Sequence, residues 1–293
     1  MSITTADIKK LRERTGAGIL DCKKALNEVD GDMEKAIEYL REKGIASAEK
    51  RSDKTASEGL VAVKETANKA AIVEINCETD FVAKNDNFQD LVEKMVDHVL
   101  AEEPADIEQA LELEIAGEGK STEEFLKEKI AGIGEKISFR RFTLKTKADD
   151  EIFGTYLHMG GKIGVLLKLK DATSELAKNI AMHVAAVNPE YLDRDSVPSE
   201  DVAKEKEVLK NQALEENKPE HIVEKIVEGR INKFFQQNCL LEQEYVRDTD
   251  LTIAQLLAEK DSELVEFVRY EVGEGIEVEE EDFVAEVQNE INS

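Results

Sequence analysis

The sequence predicts an α+β protein built from several small modules. Apolar residues recur at helical spacing in three short blocks over the first 45 residues, which predicts a small helical module. Farther along, two short β-branched segments followed by an amphipathic helix occur twice, which predicts two related α+β core subdomains with antiparallel three-stranded sheets. A charged antiparallel helical hairpin is predicted as an insertion in the second subdomain, and a small C-terminal module follows it.

The N-terminal three-helix module is predicted for residues 1–45. Thr4 or Thr5 begins its first helix and Asp32 caps its third, since such side chains accept hydrogen bonds from free helical N–H groups. Each helix is expected to end at a glycine-containing segment, namely Gly16-Ala17-Gly18, Asp30-Gly31 and Gly44. Helices this short bury little surface singly, so we expect them to pack together, similar to ubiquitin-associated domains. The polar residues 46–57 are predicted to be a linker.

The first core subdomain is predicted for residues 58–147. Its hairpin comprises residues 59–63 and 70–75. Apolar spacing predicts a helix over about 87–101 that is capped by Asp86 or Asn87. Residues 137–144 are expected to close the sheet as a third strand.

The second core subdomain is predicted for residues 148–198 and 226–262. Its hairpin comprises residues 154–158 and 163–169, a helix follows, and residues 241–246 are expected to close the sheet. The C-terminal module is predicted for residues 263–293. It begins with an alternating strand and ends with a helix from Asp282.

The helical hairpin is predicted for residues 199–225, which are highly charged and carry only a narrow apolar stripe. Asn217-Lys218-Pro219 separates its two helices. The pattern alone fits a solvated helix pair, because so short a stripe supports little interface area.

The composition favours a cytoplasmic protein that binds neither nucleic acid nor an anionic membrane directly. The formal net charge is −26, from 65 acidic against 39 basic residues. Such a surface repels nucleic-acid phosphates and anionic membranes, so neither is an expected partner. Cys22, Cys77 and Cys239 are odd in number and far apart, as expected of free thiols in a reducing cytosol. We expect no signal segment and no membrane span, because no apolar run is long enough.

The residues that bear catalytic chemistry form no recognisable set. Gly119-Lys120-Ser121 resembles the end of a phosphate-binding loop, but Glu114 stands where that motif needs a glycine. The four histidines are scattered without zinc-ligand spacing, and His183 is expected to be a packing residue. We therefore expect no enzyme, no metal and no cofactor.

Phe81 lies in a polar segment, residues 79–85, between the predicted strand and the predicted helix of the first core subdomain. Asp80 and Lys84 flank it. A large apolar ring in such a segment either packs into the core or contacts a partner. Residue type alone favours the core, because most phenylalanines are buried.

Several blocks of sequence along the chain match the signatures of one protein family. The segment Thr79-Asp80-Phe81-Val82-Ala83-Lys84-Asn85 resembles one signature, and residues 11–18 with 21–26 resemble the N-terminal one. Residues 182–186, 227–230 and 269–276 resemble later blocks. In their order along the chain these blocks resemble the elongation factor Ts family, and the likeness extends over essentially the whole chain.

The resemblance implies a guanine nucleotide exchange factor without enzymatic activity that binds elongation factor Tu and promotes GDP release. It implies that Thr79, Asp80, Phe81 and Val82 dislodge magnesium from that partner, and it favours an exposed Phe81. Arg12, Leu20 and Lys23 match positions implied to contact the same partner. His158 matches a position that faces another domain of the partner, although Met159 replaces the usual glycine beside it.

The resemblance also implies that the helical hairpin forms a homodimer. Two other hypotheses remain open at this stage. The chain is an adaptor whose three-helix module binds helical or ubiquitin-like ligands, in which case Phe81 is buried. Or it is an enzyme with a site in a cleft between the core subdomains, which requires clustered titratable residues there.

Overall fold

A computed structural model describes residues 3–15, 17–216 and 219–277, and its helices and small sheets confirm the α+β class. The helices are α1 (Thr5–Thr15), α2 (Ile19–Glu28), α3 (Met33–Lys50), α4 (Asp80–Ala83), α5 (Asp86–Glu102), α6 (Ile107–Glu112), α7 (Thr122–Ile133), α8 (Ser174–Val187), α9 (Ser199–Glu215), α10 (Glu220–Asn238) and α11 (Ile253–Glu259). The strands are β1 (Glu58–Glu65), β2 (Lys69–Cys77), β3 (Ile137–Thr146), β4 (Glu151–His158), β5 (Ile163–Lys170), β6 (Glu244–Tyr245), β7 (Asp248–Thr252) and β8 (Glu263–Glu271).

Three predictions fall at least partly outside the described residues. They are the helix end at Gly16, the break at Asn217-Lys218 and the terminal helix from Asp282. Among the helices that the structure describes, none combines the length and the apolarity that a bilayer span requires.

The strands form two three-stranded sheets and a two-stranded ribbon, in the orders β1-β2-β3, β4-β5-β8 and β6-β7. β4 and β5 are antiparallel, with Glu151 opposite Lys170 and His158 opposite Ile163. The prediction that residues 241–246 close the second sheet is wrong. That stretch contains part of a 3-10 helix (Leu240–Glu242) and β6, while β8 is the third strand. Alternation along one segment does not specify its pairing partner, which is set by tertiary context.

The described residues form two compact units. The first unit takes residues of 1–62, 73–143 and 271–277, and the second takes residues of 63–72 and 144–270. The domain boundaries expected from the sequence remain predictions.

In the first unit, α1 to α3 pack around a small apolar core. Thr4 and Asp7 exchange hydrogen bonds at the start of α1, with Thr4 N–H donating to Asp7 Oδ2 at 2.9 Å. Asp32 Oδ1 accepts from the N–H groups of Glu34 and Lys35 at the start of α3. Both predicted caps are thereby confirmed. The core residues are Leu11, Ala17, Cys22, Ala25, Leu26, Ala36 and Leu40.

The prediction that Gly44 ends the third helix is wrong, because α3 continues to Lys50. Gly44 is buried inside α3, and a Cβ added there would lie 2.9 Å from the Cβ of Ala131 on α7. The glycine therefore permits close packing of α3 on α7, at the usual cost of about 1 kcal/mol in helix propensity.

The first sheet is held by a buried carboxylate on its central strand, β2. Glu74 is fully buried and accepts hydrogen bonds from Arg140 Nη1 at 2.9 Å and from Arg141 Nε at 2.6 Å on β3. The N–H of Gly273 donates to the same carboxylate at 2.8 Å. Burial opposes ionisation, but these donors outweigh it and lower the pKa of Glu74. The cluster ties β2, β3 and the turn after β8 together.

The second unit has its own core between β5, α8 and α11. His183 of α8 is fully buried there, 3.0 Å from Gln243 Oε1, and accepts a hydrogen bond from Val246 N–H. Desolvation lowers the pKa of His183. The expectation of a packing histidine is confirmed.

An ionic cluster of opposite sign lies on the central strand of the second sheet, β5. Lys168 Nζ lies 3.0 Å from Glu266 Oε1 and 3.6 Å from Glu151 Oε2. It also donates to Thr146 O at 3.1 Å. Burial lowers the pKa of Lys168, but Glu266 and Glu151 outweigh burial, and the pKa is raised.

α9 and α10 pack on each other, as the predicted helical hairpin requires. Arg230 donates to both carboxylate oxygens of Glu216 at 2.8 Å. Val208 and Leu214 of α9 are exposed.

Candidate partner-binding site

A single helical turn carries the apolar ring that the sequence singled out. We call residues 79–85 the Phe81 turn; it contains α4 between two capping residues. Thr79 Oγ1 accepts from Val82 N–H at 3.3 Å, and Asn85 Oδ1 accepts from Asn87 N–H at 2.9 Å. Asn85 thus caps α5, and the prediction of Asp86 or Asn87 as the cap is wrong.

The Phe81 ring projects into solvent. Phe81 is 81% exposed, whereas Ala83 on the same turn is buried and Val82 is half-buried. The alternative that Phe81 belongs to the core is therefore wrong. The adaptor hypothesis required a buried Phe81, and the exposure of this residue argues against it. Full burial of such a ring contributes about 1.5–3 kcal/mol. The Phe81 turn thus leaves that apolar surface available to a partner.

Asp80 and Lys84 pair across the Phe81 turn. Lys84 Nζ donates to Asp80 Oδ2 at 2.6 Å, at the i,i+4 spacing of neighbours on one helix face. The hydrogen bond and the charge of Asp80 raise the pKa of Lys84. An acidic and a basic group therefore lie beside the exposed ring.

The base of the Phe81 turn is held by Glu135, from the junction between α7 and β3. Its Oε2 accepts hydrogen bonds from Glu78 N–H at 3.1 Å and from Thr79 N–H at 3.0 Å. Its Oε1 accepts from Thr79 Oγ1 at 2.7 Å. One carboxylate thereby pairs with the N–H of the capping residue Thr79, which has no partner within the helix, and with the N–H of the residue before it.

A second carboxylate acts in the opposite direction. Glu78 Oε1 accepts from Lys136 N–H at 2.5 Å and from Arg51 Nη1 at 2.8 Å. Lys136 Nζ in turn donates to the carbonyl oxygens of Ser52 and Lys54. The Phe81 turn is therefore joined to the segment that follows α3.

Sequence reasoning missed Glu78 and Glu135, because two glutamates among 65 acidic residues carry no distinguishing pattern. The one local signal is Gly134, which ends α7 in a left-handed conformation with φ 86°. A glycine at such an end turns the chain sharply, and the next residue, Glu135, is thereby placed between α7 and β3.

The predicted contact residues of the N-terminal module are all exposed. Arg12 lies on α1, and Leu20 and Lys23 lie on α2. Leu20 is 80% exposed, and its neighbour Ile19, which we did not single out, is also exposed. An apolar pair beside basic residues is thus open to solvent at the start of α2.

His158 lies in the second unit, at the end of β4, and is exposed. Its Nδ1 is 3.3 Å from the Tyr156 hydroxyl. Met159 follows with φ 49° and is 71% exposed. This left-handed conformation favours glycine, because a residue with a Cβ is strained there. Met159 therefore occupies a backbone conformation that glycine would adopt at lower cost.

Two sequence features have structural roles. Ser121 of the weak phosphate-loop motif caps α7 by accepting from Glu124 N–H at 3.2 Å, and Lys120 pairs with Glu128. In the ranges that the structure describes, no three His, Cys, Asp or Glu side chains cluster as metal ligands. Cys22, Cys77 and Cys239 are buried thiols that form no disulfide.

Comparison with known families identifies a match over most of the chain. The family model described as Elongation factor TS matches residues 78–274. The match begins at the base of the Phe81 turn and includes all three strands of the second sheet, but only β3 of the first. The N-terminal module lies outside it. Because it spans more than half of the chain, the protein belongs to the elongation factor Ts family.

Proposed function

We propose that this protein binds elongation factor Tu in its GDP-bound state, disturbs the magnesium and phosphate site of that partner, and so promotes GDP release during translation elongation. Family membership implies the coarser role, that of a nucleotide exchange factor for elongation factor Tu. The observation that carries the finer proposal is Phe81, 81% exposed on a turn whose base is hydrogen-bonded from both sides.

Exchange requires differential binding and no catalytic group. A factor that binds the nucleotide-free partner more tightly than the nucleotide-bound partner lowers the affinity for nucleotide by the same factor. Magnesium and the phosphate-binding backbone hold most of the charge of a bound nucleotide. Contacts that displace either one therefore weaken GDP binding without any covalent step.

The Phe81 turn is suited to make such contacts. Phe81 offers an apolar ring that becomes buried between partner side chains, and buried aromatic anchors dominate interface energies. Asp80, Thr79 and Val82 surround it, and Asp80 can exchange its bond with Lys84 for polar groups of the partner. We assign magnesium dislocation to these four residues.

Two further surfaces complete the proposed interface. Arg12, Leu20 and Lys23 of the N-terminal module contact the same GTP-binding domain. The arrangement of α1 to α3 supports the likeness to ubiquitin-associated domains. His158 contacts another domain of the partner.

The proposed setting is the cytoplasm, with protein partners only. The net charge of −26 opposes direct nucleic-acid binding. We also propose that the α9–α10 hairpin forms a homodimer through surface that includes Val208 and Leu214. Sedimentation at several concentrations tests this, and a monomer throughout the micromolar range contradicts it.

Release of fluorescent GDP from elongation factor Tu tests the exchange function. Catalytic amounts of this protein should accelerate release in the presence of excess unlabelled GDP. Because nucleotide and exchange factor oppose each other, excess GDP should also dissociate a preformed complex of the two proteins. Unchanged release at saturating protein contradicts the exchange function, and a complex indifferent to GDP indicates a scaffold.

A further inference from the structure

We propose that Glu135 is a positioning residue for exchange: its carboxylate fixes the direction in which the Phe81 ring projects, and GDP release depends on that direction. This inference rests on the proposed exchange function. It assigns to Glu135 a role that is separate from partner contact.

The hydrogen bonds of Glu135 all act at the start of α4. Oε2 accepts from the N–H groups of two consecutive residues, Glu78 and Thr79, and Oε1 accepts from Thr79 Oγ1. Thr79 Oγ1 also accepts from Val82 N–H. The carboxylate thereby fixes the Thr79 side chain that caps the turn on which Phe81 stands.

The attachment is reciprocal, which makes it resist rotation. The Glu135 carboxylate binds the backbone of residues 78 and 79, while the Glu78 carboxylate binds the N–H of Lys136. We call this pair the carboxylate clasp, formed by Glu78 and Glu135. A single hydrogen bond would leave the turn free to pivot, whereas bonds in both directions restrain it. Hydrogen bonds to charged groups also contribute more than neutral ones.

The ring cannot orient itself. A side chain that is 81% exposed has little packing from its own chain, so the direction of Phe81 follows the backbone of α4. If that backbone is loosened, the ordering cost falls on the binding step. Small misplacement of a group that must act in one geometry costs up to about 100-fold in rate.

The clasp also reaches the N-terminal module. Arg51 donates to Glu78, and Lys136 Nζ donates to the carbonyl oxygens of Ser52 and Lys54. Residues 51–54 follow directly after α3. The base of the Phe81 turn and the end of the three-helix module therefore share one set of hydrogen bonds.

The experiment compares Glu135→Ala with Glu135→Gln in the full chain. Alanine removes every acceptor. Glutamine keeps an oxygen for the two backbone N–H groups, and its amide can donate to Thr79 Oγ1. Glu123→Ala is the matched control, because Glu123 is an exposed glutamate on α7 that pairs only with Lys127 in the described structure. GDP release is measured at saturating exchange factor and corrected for the folded fraction.

Glu135→Ala should lower the saturating rate about tenfold per folded molecule, while Glu135→Gln should restore most of it and Glu123→Ala should leave it unchanged. In a Phe81→Ala background, Glu135→Ala should lower the rate less than twofold further, because residues acting through one group are not additive. Hydrogen exchange should show a less protected Thr79 amide in Glu135→Ala.

Two results overturn the inference: a normal rate in folded Glu135→Ala, or an equal loss in the presence and absence of Phe81. Failure of the exchange function is distinguishable, since wild-type protein would then leave GDP release unchanged; the role assigned to Glu135 would fall with it.

Discussion

The central strands of the two three-stranded sheets lead into their helices by different routes. β5 ends at Lys170 and α8 begins at Ser174, so the residues 171–173 suffice, with Thr173 as the cap. β2 ends at Cys77 and α5 begins at Asp86, with α4 between them. Because three residues suffice to join strand and helix in the second sheet, we expect that the corresponding connection in the first sheet does not require the Phe81 turn for folding. The extra turn is therefore the part to examine for function.

The same two strands carry paired charges of opposite sign at equivalent positions. Glu74 and Lys168 are each the sixth residue of their strand. Glu74 is paired with arginines of β3, and Lys168 is paired with Glu266 of β8. Each third strand is thus attached to its central strand by an ionic cluster, and the architecture accepts either polarity.

The largest expected effect is on the first of these clusters. Glu74→Gln should lower the free energy of unfolding by about 3–5 kcal/mol, because it leaves two arginines without their buried partner. Urea unfolding at neutral pH measures the loss. Lys168→Met serves as the counterpart in the second sheet and should cost less, because Lys168 is partly exposed.

The pH dependence should separate the two clusters. Because the pKa of Glu74 is lowered in the folded state, its ionisation stabilises the fold at pH values above the ordinary carboxylate pKa of 4.5. This contribution disappears as the pH falls through the folded pKa. Because the pKa of Lys168 is raised in the folded state, its charge stabilises the fold at pH values below the ordinary lysine pKa of 10.5. This contribution is lost as the pH rises through the folded pKa. The difference in free energy of unfolding between wild type and Glu74→Gln should become smaller at acidic pH. The difference between wild type and Lys168→Met should become smaller at alkaline pH. Loss at the same end of the pH range contradicts the comparison.

Exchanging the connections tests whether the Phe81 turn is dispensable for folding. Replacement of residues 78–85 by Asp-Ala-Thr, the connection at 171–173, should preserve a folded chain, since threonine again caps the helix. GDP release should fall about 100-fold or more, as expected when an interface loses its main anchor. Circular dichroism and stopped-flow release are measured on one preparation. An unfolded product would show that the turn is needed for the fold.

Two phenylalanines nearby in sequence sharpen the comparison further. Phe81→Ala should change the free energy of unfolding by no more than about 0.5 kcal/mol and reduce GDP release about 30-fold. Phe88→Ala on α5 is the control, because Phe88 is fully buried. It should cost about 3–5 kcal/mol of stability and leave release per folded molecule unchanged. The reverse pattern would assign Phe81 to the core.

The smallest effect is expected at the β4–β5 turn. Met159→Gly should raise the free energy of unfolding by about 0.5–1 kcal/mol, since relief of the left-handed conformation exceeds the added chain entropy of glycine. Thermal unfolding measures this gain. A loss of stability would indicate that the exposed methionine side chain makes a stabilising contact.

Local elements were largely predictable, because periodicity and capping act over a few residues. Thr4 and Asp32 cap helices as predicted, and both hairpins lie where the sequence placed them. Gly44 was misinterpreted as a helix end because glycine is needed there for close packing against Ala131, which is 87 positions away in sequence. Rules that consider only neighbouring residues do not include such a contact. The third strand of the second sheet was wrongly predicted for the same reason, because strand pairing depends on contacts between segments that are far apart in sequence.

The candidate site was predictable in its visible part only. Family resemblance singled out Thr79, Asp80, Phe81 and Val82, and the exposure of Phe81 agrees with it. Residue type favoured the opposite. Glu135 was not predictable, because only the fold brings it to Thr79.

The carboxylate clasp divides the Phe81 turn into a frame and a tip. Glu135 binds backbone N–H groups and the hydroxyl of Thr79, and it does not use the side chain of Phe81. Position 81 can therefore accept different side chains while the hydrogen bonds between Glu135 and residues 78 and 79 are kept. Partner preference at this turn is open to evolutionary change, or to laboratory selection, at little risk to folding.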